Sequence, residues 1–203
     1  MDILMIHLEA PYTEKKIRSL KVGDMLELSG VVFTGRDAVH KWLHEGNDPP
    51  VSFRDAIIYH CGPVVMKKKG KWVVTAAGPT TSTREEPYQA GIIEKHGIRA
   101  VIGKGGMGEK TRLACQKFGC VYLHAVGGAA QVLAEAIQEV ENVYGLEQFG
   151  SPEAIWQLRV ANFPVVVTID AHGESLHKDI EAESGARLAA IQGAAVANSM
   201  VKK

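Results

Sequence analysis

The segment IRAVIGKGGMG at residues 98–108 joins a short apolar strand to a helix through a run of glycines, and it decides the fold prediction. Residues 98–102 are apolar except for Arg99, which is typical of a short buried strand. A helical pattern follows over residues 109–118, and a strand-like segment over residues 121–126. This alternation of strand and helix predicts an α/β domain.

The part of the chain before this segment has mostly the pattern of strands. The stretch over residues 17–35 is predicted as β structure, and Asp37 is expected to begin a helix. A turn rich in lysine and glycine separates the last two strands of this part. The predicted strands lie at residues 25–28, 31–34, 56–67 and 71–79.

The part after residue 79 alternates between the patterns of helices and strands. A β-branched run at residues 163–169 is predicted as a buried strand. An Ala-rich tail is expected to be helical and to cover the domain. The helices are predicted at residues 85–95, 109–118, 129–143, 152–158 (a short turn) and 180–200. We therefore expect one α/β domain over residues 1–203, with residues 180–203 as a helical extension.

The composition is that of a globular protein of 203 residues. The 23 basic and 23 acidic residues cancel, which argues against nucleic acid as a partner. The mean hydropathy is −0.03, and no window has the length of a membrane span. Charges at Asp2 and Glu9 interrupt the apolar start, so no signal peptide is predicted and a cytoplasmic location is expected.

The three cysteines, Cys61, Cys115 and Cys120, do not have the spacing of a usual metal or iron–sulfur site. The spacing of the last two suits a metal, but such sites need three or four ligands, and the remaining thiol is distant in sequence. We therefore expect buried thiols and no metal ligands in this chain.

The glycine run 103–108 matches the pattern G-x-G-x-x-G in the strand–turn–helix context of dinucleotide sites. The acidic residue expected further along is missing, and Glu109 stands where a phosphate-binding loop needs lysine. A small anion site therefore remains, formed by backbone N–H groups, the helix start and Lys104. The alternative is a tight turn with Lys104 in solvent.

Two further loops each place an arginine beside small polar residues. Arg84 ends the run Thr80-Thr81-Ser82-Thr83-Arg84, and Arg36 stands where a strand meets a helix. Arginine binds carboxylates with two parallel hydrogen bonds. Together with Lys104, these residues indicate a substrate with two carboxylates, although a capped helix start and a solvated Arg36–Asp37 pair are alternatives.

Several motifs in the chain resemble the β subunit of iron–sulfur (class I) fumarate hydratase. They are GPTTSTR, VIGKGGMG, SGVVFTGRDAVH, YHCGPVV, SPEAIWQLRV and VVVTIDAHG. The β subunit of L-tartrate dehydratase is closely similar, and the resemblance covers residues 20–176. It implies a three-layer β/β/α swivelling domain with a mixed sheet, which closes over a partner α subunit, with α2β2 as the expected assembly.

The resemblance also implies the roles of the site residues. In this family a [4Fe–4S] cluster is held by the α subunit, and its open iron binds the hydroxyl that is eliminated. Thr80 is then the expected base, with Lys104 as its catalytic neighbour. The expected substrate-binding residues are Arg36, Thr81, Arg84, Lys104 and Gly105. His40, His60, Asp170 and His172 recur in these motifs and receive no catalytic role.

The expected activity is a hydro-lyase reaction, the reversible hydration of fumarate to (S)-malate, in a complex with the α subunit. The alternative substrate is L(+)-tartrate. Two other classes stay open: a nucleotide-binding oxidoreductase built on the glycine loop, and a regulatory subunit that only keeps a dicarboxylate pocket.

Overall fold

The computed structural model describes the backbone of residues 5–201 and the side chains of residues 5–192. Residues 1–4 and 202–203, which the domain prediction includes, lie outside this part. The strands are β1 (Met5–Glu9), β2 (Met25–Thr34), β3 (Ile57–Tyr59), β4 (Val64–Lys68), β5 (Lys71–Ala76), β6 (Ala100–Gly103), β7 (Val121–His124), β8 (Ile137–Tyr144) and β9 (Ile155–Ile169). The helices are α1 (Glu14–Arg18), α2 (Asp37–His44), α3 (Glu86–His96), α4 (Glu109–Phe118), α5 (Ala130–Glu135), α6 (Leu146–Phe149) and α7 (Leu176–Val201), with a 3₁₀ turn at Ser82–Glu85.

Seven of the described strands form one mixed sheet in the order β1-β2-β3-β6-β7-β9-β8. The pairings from β1 through β7 are parallel, whereas β9 runs antiparallel to β7 and β8. The long strand β9 also pairs antiparallel with β2, so that β2, β3, β6, β7 and β9 form a closed circuit. The predicted α/β fold with a mixed sheet is confirmed.

Alternate residues of the central strands point into two separate cores. In β3, Ile57 and Tyr59 join one core, and Ile58 joins the other. The first core also receives Trp72 from the β4–β5 hairpin and Leu133 from α5. Helices α2, α3 and α4 cover the second core. The sheet is thus covered by a hairpin layer on one side and by helices on the other, because its strands are apolar on both faces.

Two helix predictions in the second half are wrong. The helix expected over residues 129–143 ends at Glu135, and residues 137–144 form β8. Residues 152–158 begin as a turn and then enter β9 at Ile155. Strand β8 pairs with β9, and the start of β9 pairs with β2 and β8. This pairing between strands outweighs a local helical preference.

The strand predictions of the first half need two corrections. The β stretch over residues 17–35 begins with the end of α1, and its strand starts at Met25. The single strand expected at 56–67 is two strands, since β3 ends at Tyr59 and β4 begins at Val64. The residues between them turn away from the sheet, and Pro63 has no N–H for a ladder there.

The C-terminal helix does not cover the domain as expected. The side chains from residue 178 to residue 192 of α7 are exposed, including Leu188 and Ile191. No helix in the described part of the chain has the length and apolar composition to cross a membrane. The assignment of residues 1–203 to one catalytic domain stays a prediction.

Candidate active site

The loops that carry the predicted site residues meet at one edge of the sheet. Strands β2, β3 and β6 are parallel neighbours, so their carboxyl ends lie side by side. Arg36 follows the end of β2, and Lys104 follows the end of β6. The loop over residues 77–84 lies against this edge, where Thr81 and Lys104 form an isolated parallel bridge.

Thr80 and Lys104 are held together by their backbones. The N–H of Thr80 donates to the carbonyl of His60 at 2.6 Å, and the N–H of Lys104 donates to the carbonyl of Thr80 at 3.3 Å. The N–H of Ser82 then donates to the carbonyl of Lys104 at 2.9 Å. The structure therefore brings the backbones of Thr80, Thr81 and Lys104 together. The role of Thr80 as a base stays a prediction.

The glycines of this turn allow the close approach of the two loops. A Cβ atom at Gly103 would collide with the Ser82 hydroxyl, so only glycine fits there. Gly105 has a φ of +81°, a left-handed conformation that favours glycine, and a Cβ there would lie 3.7 Å from Thr81 Cγ2. Gly105 is thus beside Thr81, and its role in substrate binding stays a prediction.

Arg36 and Arg84 are brought together around one carboxylate. Asp37 Oδ2 lies 2.9 Å from Arg84 Nη2 and 4.0 Å from Arg36 Nη2. Arg36 Nε also forms an ion pair with Glu153 Oε1 at 3.3 Å. Gly62 makes room for Arg36, because a Cβ there would stand 2.6 Å from its Nη1 atom. This edge of the sheet therefore carries two guanidinium groups, one of them half-exposed.

The helix start after the glycine turn does not form the predicted anion site. The carboxylate of Glu86 accepts hydrogen bonds from the N–H groups of Gly108 at 2.8 Å, Lys110 at 3.1 Å and Thr111 at 3.2 Å, and from the Thr111 hydroxyl at 2.7 Å. The chain's own carboxylate thus occupies the N-terminus of α4, which a nucleotide phosphate would need. Of the three parts of the predicted anion site, the helix start is therefore occupied by Glu86.

A buried chain of polar side chains lies beneath the three loops. The amide of Gln89 on α3 lies 3.0 Å from Nε2 of both His40 and His60. His60 Nδ1 lies 2.9 Å from the Ser82 hydroxyl, which also receives the Tyr122 hydroxyl at 2.9 Å. All five side chains are fully buried. Burial lowers the pKa of His40, and burial together with the His40 ring lowers the pKa of His60 well below its usual value.

Glu85 is a buried carboxyl group beside the arginines that the sequence analysis did not identify. Its side chain is fully buried, and neither oxygen has a hydrogen-bond partner among the described residues. Burial, followed by the negative charge of Asp37, raises the pKa of Glu85 to about 8. In the sequence, Glu85 is an acidic residue next to Arg84, a pattern typical of a surface ion pair. No local pattern therefore indicates that Glu85 is buried.

The cysteines do not form a metal site in the described part of the chain. All three are buried free thiols, and burial raises the pKa of Cys61 to about 12. No group of three or more His, Cys, Asp or Glu side chains within the described residues is arranged to hold a metal ion. The residues present here therefore do not fit an iron–sulfur cluster. That such a cluster is held by a partner subunit stays a prediction.

Asp170 and His172 belong to a turn away from this edge. Asp170 Oδ1 accepts hydrogen bonds from the N–H groups of His172 at 2.9 Å and Glu174 at 3.1 Å. His172 Nε2 lies 2.9 Å from the carbonyl of Arg18. These contacts fix the turn before α7 and connect it to α1.

Comparison with known proteins identifies the family of the chain. Residues 2–180 match the model of the family described as Fumarase C-terminus. A Geobacillus stearothermophilus protein, provisionally named class I fumarate hydratase, is 59% identical over 181 residues. The β subunit of L(+)-tartrate dehydratase from Escherichia coli K12 is 39% identical over 171 residues. A protein of Methanocaldococcus jannaschii, provisionally given the same subunit name, is 39% identical over 173 residues.

These relatives differ in how much of their length the chain covers. The Geobacillus match takes in 89% of this chain but only 35% of that protein. The match to the Escherichia coli β subunit takes in 83% of this chain and 85% of the subunit. For the Methanocaldococcus protein the shares are 83% and 89%. The chain thus spans about a third of the first relative and most of the other two.

Proposed function

Because the chain belongs to the fumarase C-terminus family, we propose that it is the β subunit of a hydro-lyase that acts on a dicarboxylate. One observation carries this proposal: a backbone hydrogen bond joins Thr80 to Lys104 at the sheet edge that also carries Arg36 and Arg84. Three cations and a hydroxyl at one edge match a small acid with a carboxylate at each end.

The substrate that we propose is fumarate, with (S)-malate as the product of hydration. The identity of 59% to the protein provisionally named fumarate hydratase, against 39% to the tartrate dehydratase subunits, supports this choice. L(+)-tartrate, which carries one more hydroxyl than malate, is the alternative. Both substrates require the same cations for their two carboxylates.

The cations of this chain bind and polarise the substrate. In the direction of dehydration, a proton leaves C3, and negative charge develops on the adjacent carboxylate. Arg84 and Arg36 hold the carboxylates, and the Lys104 ammonium group stabilises the developing charge. Closure of the site against a partner would exclude water and strengthen each of these interactions.

Thr80 is the group that we propose to receive the C3 proton, at its Oγ1 atom. A neutral hydroxyl is too weak a base to take this proton, so Oγ1 must first release its own proton to solvent and act as an alkoxide, which a nearby positive charge stabilises. The backbone hydrogen bond from the Lys104 N–H to the Thr80 carbonyl supports the fixed orientation. We assign the positive charge to the Lys104 ammonium group. The hydrogen bond from Thr80 N–H to His60 holds the other side of the residue.

We assign the departure of the hydroxyl group to a partner α subunit that holds the [4Fe–4S] cluster, in an α2β2 assembly located in the cytoplasm. The support is that the described residues of this chain do not fit such a cluster. It also helps that the chain covers only 35% of the Geobacillus relative, so two thirds of that protein has no counterpart here.

An anaerobic co-expression experiment tests this proposal. The chain is produced with and without the α subunit, and turnover is measured on fumarate, (S)-malate and L(+)-tartrate. We expect activity only in the complex and mainly on fumarate and malate. Preference for tartrate would support the alternative substrate, and turnover of none of the three acids would contradict the proposed function.

A further inference from the structure

The chain of buried side chains beneath the site has one shared member, Gln89, between two histidines. His40 Nδ1 lies 2.9 Å from the carbonyl oxygen of Arg36, so His40 must carry a proton on Nδ1 to make that hydrogen bond. A neutral imidazole then has a lone pair on Nε2, and this atom lies 3.0 Å from the Gln89 amide. The amide must therefore present a donor to it.

The orientation of the Gln89 amide follows from the same count of donors and acceptors. The oxygen and nitrogen of a side-chain amide exchange places by rotation, and the hydrogen-bond partners decide between the two. Either orientation leaves one buried amide atom without a partner among the described residues, the NH₂ group in one case and the oxygen in the other. The choice is therefore made by His40, whose Nε2 lone pair needs a donor. With the NH₂ group toward the rings, its two hydrogens reach Nε2 of His40 and Nε2 of His60, both at 3.0 Å.

His60 then connects the Gln89 amide to the loop over residues 77–84. With Nε2 as an acceptor, His60 carries its proton on Nδ1 and donates to the Ser82 hydroxyl at 2.9 Å. The carbonyl of His60 accepts from Thr80, and the N–H of Ser82 donates to Lys104. Burial lowers the pKa of both histidines, which agrees with neutral rings.

We propose that Gln89 is a positioning residue, whose amide donates to two neutral histidines and thereby fixes the Arg36 loop relative to Thr80 and Lys104. The inference rests on the proposed function for its catalytic consequence, but the protonation pattern does not. His40 forms the arm toward Arg36, which binds substrate. His60 and Ser82 form the arm toward Thr80, which receives the proton.

The protonation pattern is tested by ¹⁵N NMR of the imidazoles in the full chain. We expect both His40 and His60 as neutral rings protonated on Nδ1. The variant Gln89→Glu has a carboxylate that only accepts, so it should place protons on Nε2 of both rings and turn His40 into a cation. Rings protonated on Nε2 in the wild-type chain, or a wild-type pattern in Gln89→Glu, would overturn the inference.

The catalytic consequence is tested in the assembled enzyme. A displacement of about 1 Å at a reacting group costs on the order of 100-fold in rate, so we expect Gln89→Glu to lower kcat by about 10- to 100-fold. Gln116→Glu, on the exposed side of α4, makes the same charge change and should leave kcat unchanged. Unchanged kcat in Gln89→Glu would overturn the positioning role.

Three further variants test the arm toward Thr80 and guard against a misfolded Gln89→Glu protein. Ser82→Ala should lower kcat with little change in KM, because it breaks only the arm to Thr80. His60→Asn keeps a donor near the Nδ1 position and should retain more activity than His60→Ala. Equal losses in the two His60 variants would contradict the role of this hydrogen bond. If the NMR pattern holds and no substrate is turned over, the proposed function fails and the assigned protonation stands.

Discussion

Asp37 Oδ2 lies 2.9 Å from Arg84 Nη2, so a carboxylate of the chain itself occupies the position that we assign to a substrate carboxylate. Both side chains are nearly half-exposed, and ion pairs in such positions contribute at most about 1 kcal/mol. A substrate with a better-oriented carboxylate can therefore displace Asp37 at little cost. Before the substrate binds, the ion pair with Asp37 holds the Arg84 guanidinium group in place.

The substitution Arg84→Lys tests whether the shape of the guanidinium group matters. Lysine keeps the charge but cannot form two parallel hydrogen bonds to a carboxylate. We expect kcat/KM for fumarate in the assembled enzyme to fall by about 100-fold. Arg187→Lys on α7, whose partner is Glu183, is the control and should have no effect. Equal kcat/KM values for Arg84→Lys and Arg187→Lys would contradict the role of Arg84 in binding substrate.

The Glu86 carboxylate should contribute to stability, since it satisfies the free N–H groups at the start of α4. Loss of a helix cap costs about 1 kcal/mol, and a buried unsatisfied donor costs about 1–3 kcal/mol. We therefore expect Glu86→Ala to lower the free energy of unfolding in urea by about 1–3 kcal/mol. Glu94→Ala, an exposed change on α3, should be nearly neutral, and equal losses would contradict the capping role.

Glu85 should make stability depend on pH. Its pKa is about 8 in the folded chain against an ordinary value of 4.5, so folding favours the protonated form. The contribution of protonated Glu85 to the free energy of unfolding is complete below about pH 4.5 and is lost as the pH rises to about 8. We expect Glu85→Gln to remove this loss, a difference of a few kcal/mol at the upper end of that range.

The comparison between wild type and Glu85→Gln isolates this group from the buried histidines. The lowered pKa values of His40 and His60 act in the opposite sense, because stability falls as the pH drops through their ordinary value of 6.5. The two histidines are present in both proteins, so their effect cancels in the difference. Parallel stability curves for the two proteins over this range would show that Glu85 is ionised in the fold.

Alanine substitutions at Gly103 in the glycine turn and at Gly91 in α3 form a matched pair. Gly103→Ala places a methyl group against the Ser82 hydroxyl, and overpacking of this kind costs about 1–3 kcal/mol. Gly91→Ala lies in α3 with open space around it and should stabilise the helix by about 0.5–1 kcal/mol. Thermal unfolding of both variants measures the difference, and a stable Gly103→Ala protein would contradict the packing described here.

Local patterns predicted those parts of the site that lie close together in sequence. The apolar strand and glycine turn at residues 98–108 were predicted from periodicity, and the structure has β6 followed by α4. Residues 129–143 were predicted as one helix from an i, i+3, i+4 apolar pattern in an Ala-rich segment. The pairing of residues 137–144 with β9 is a contact that this periodicity does not report.

The residues that sequence reasoning missed act across long distances in the chain. Glu86 accepts from Gly108, 22 residues later and just before α4, so no capping pattern is present in the local sequence. Gln89 stands in an ordinary helical segment, and its burial depends on how α3 packs against the residues after β3. Only the folded arrangement shows that His40 and His60 share it.

Turnover by Thr80 variants in the assembled enzyme tests the central claim most directly. Thr80→Ser keeps the hydroxyl and Thr80→Val removes it at nearly the same volume, while the backbone bridge to Lys104 remains available to both. We predict that Thr80→Ser retains most of the turnover of fumarate and that Thr80→Val loses at least about 100-fold, with assembly unchanged. Wild-type turnover in Thr80→Val would contradict the claim that this chain supplies the proton-accepting group.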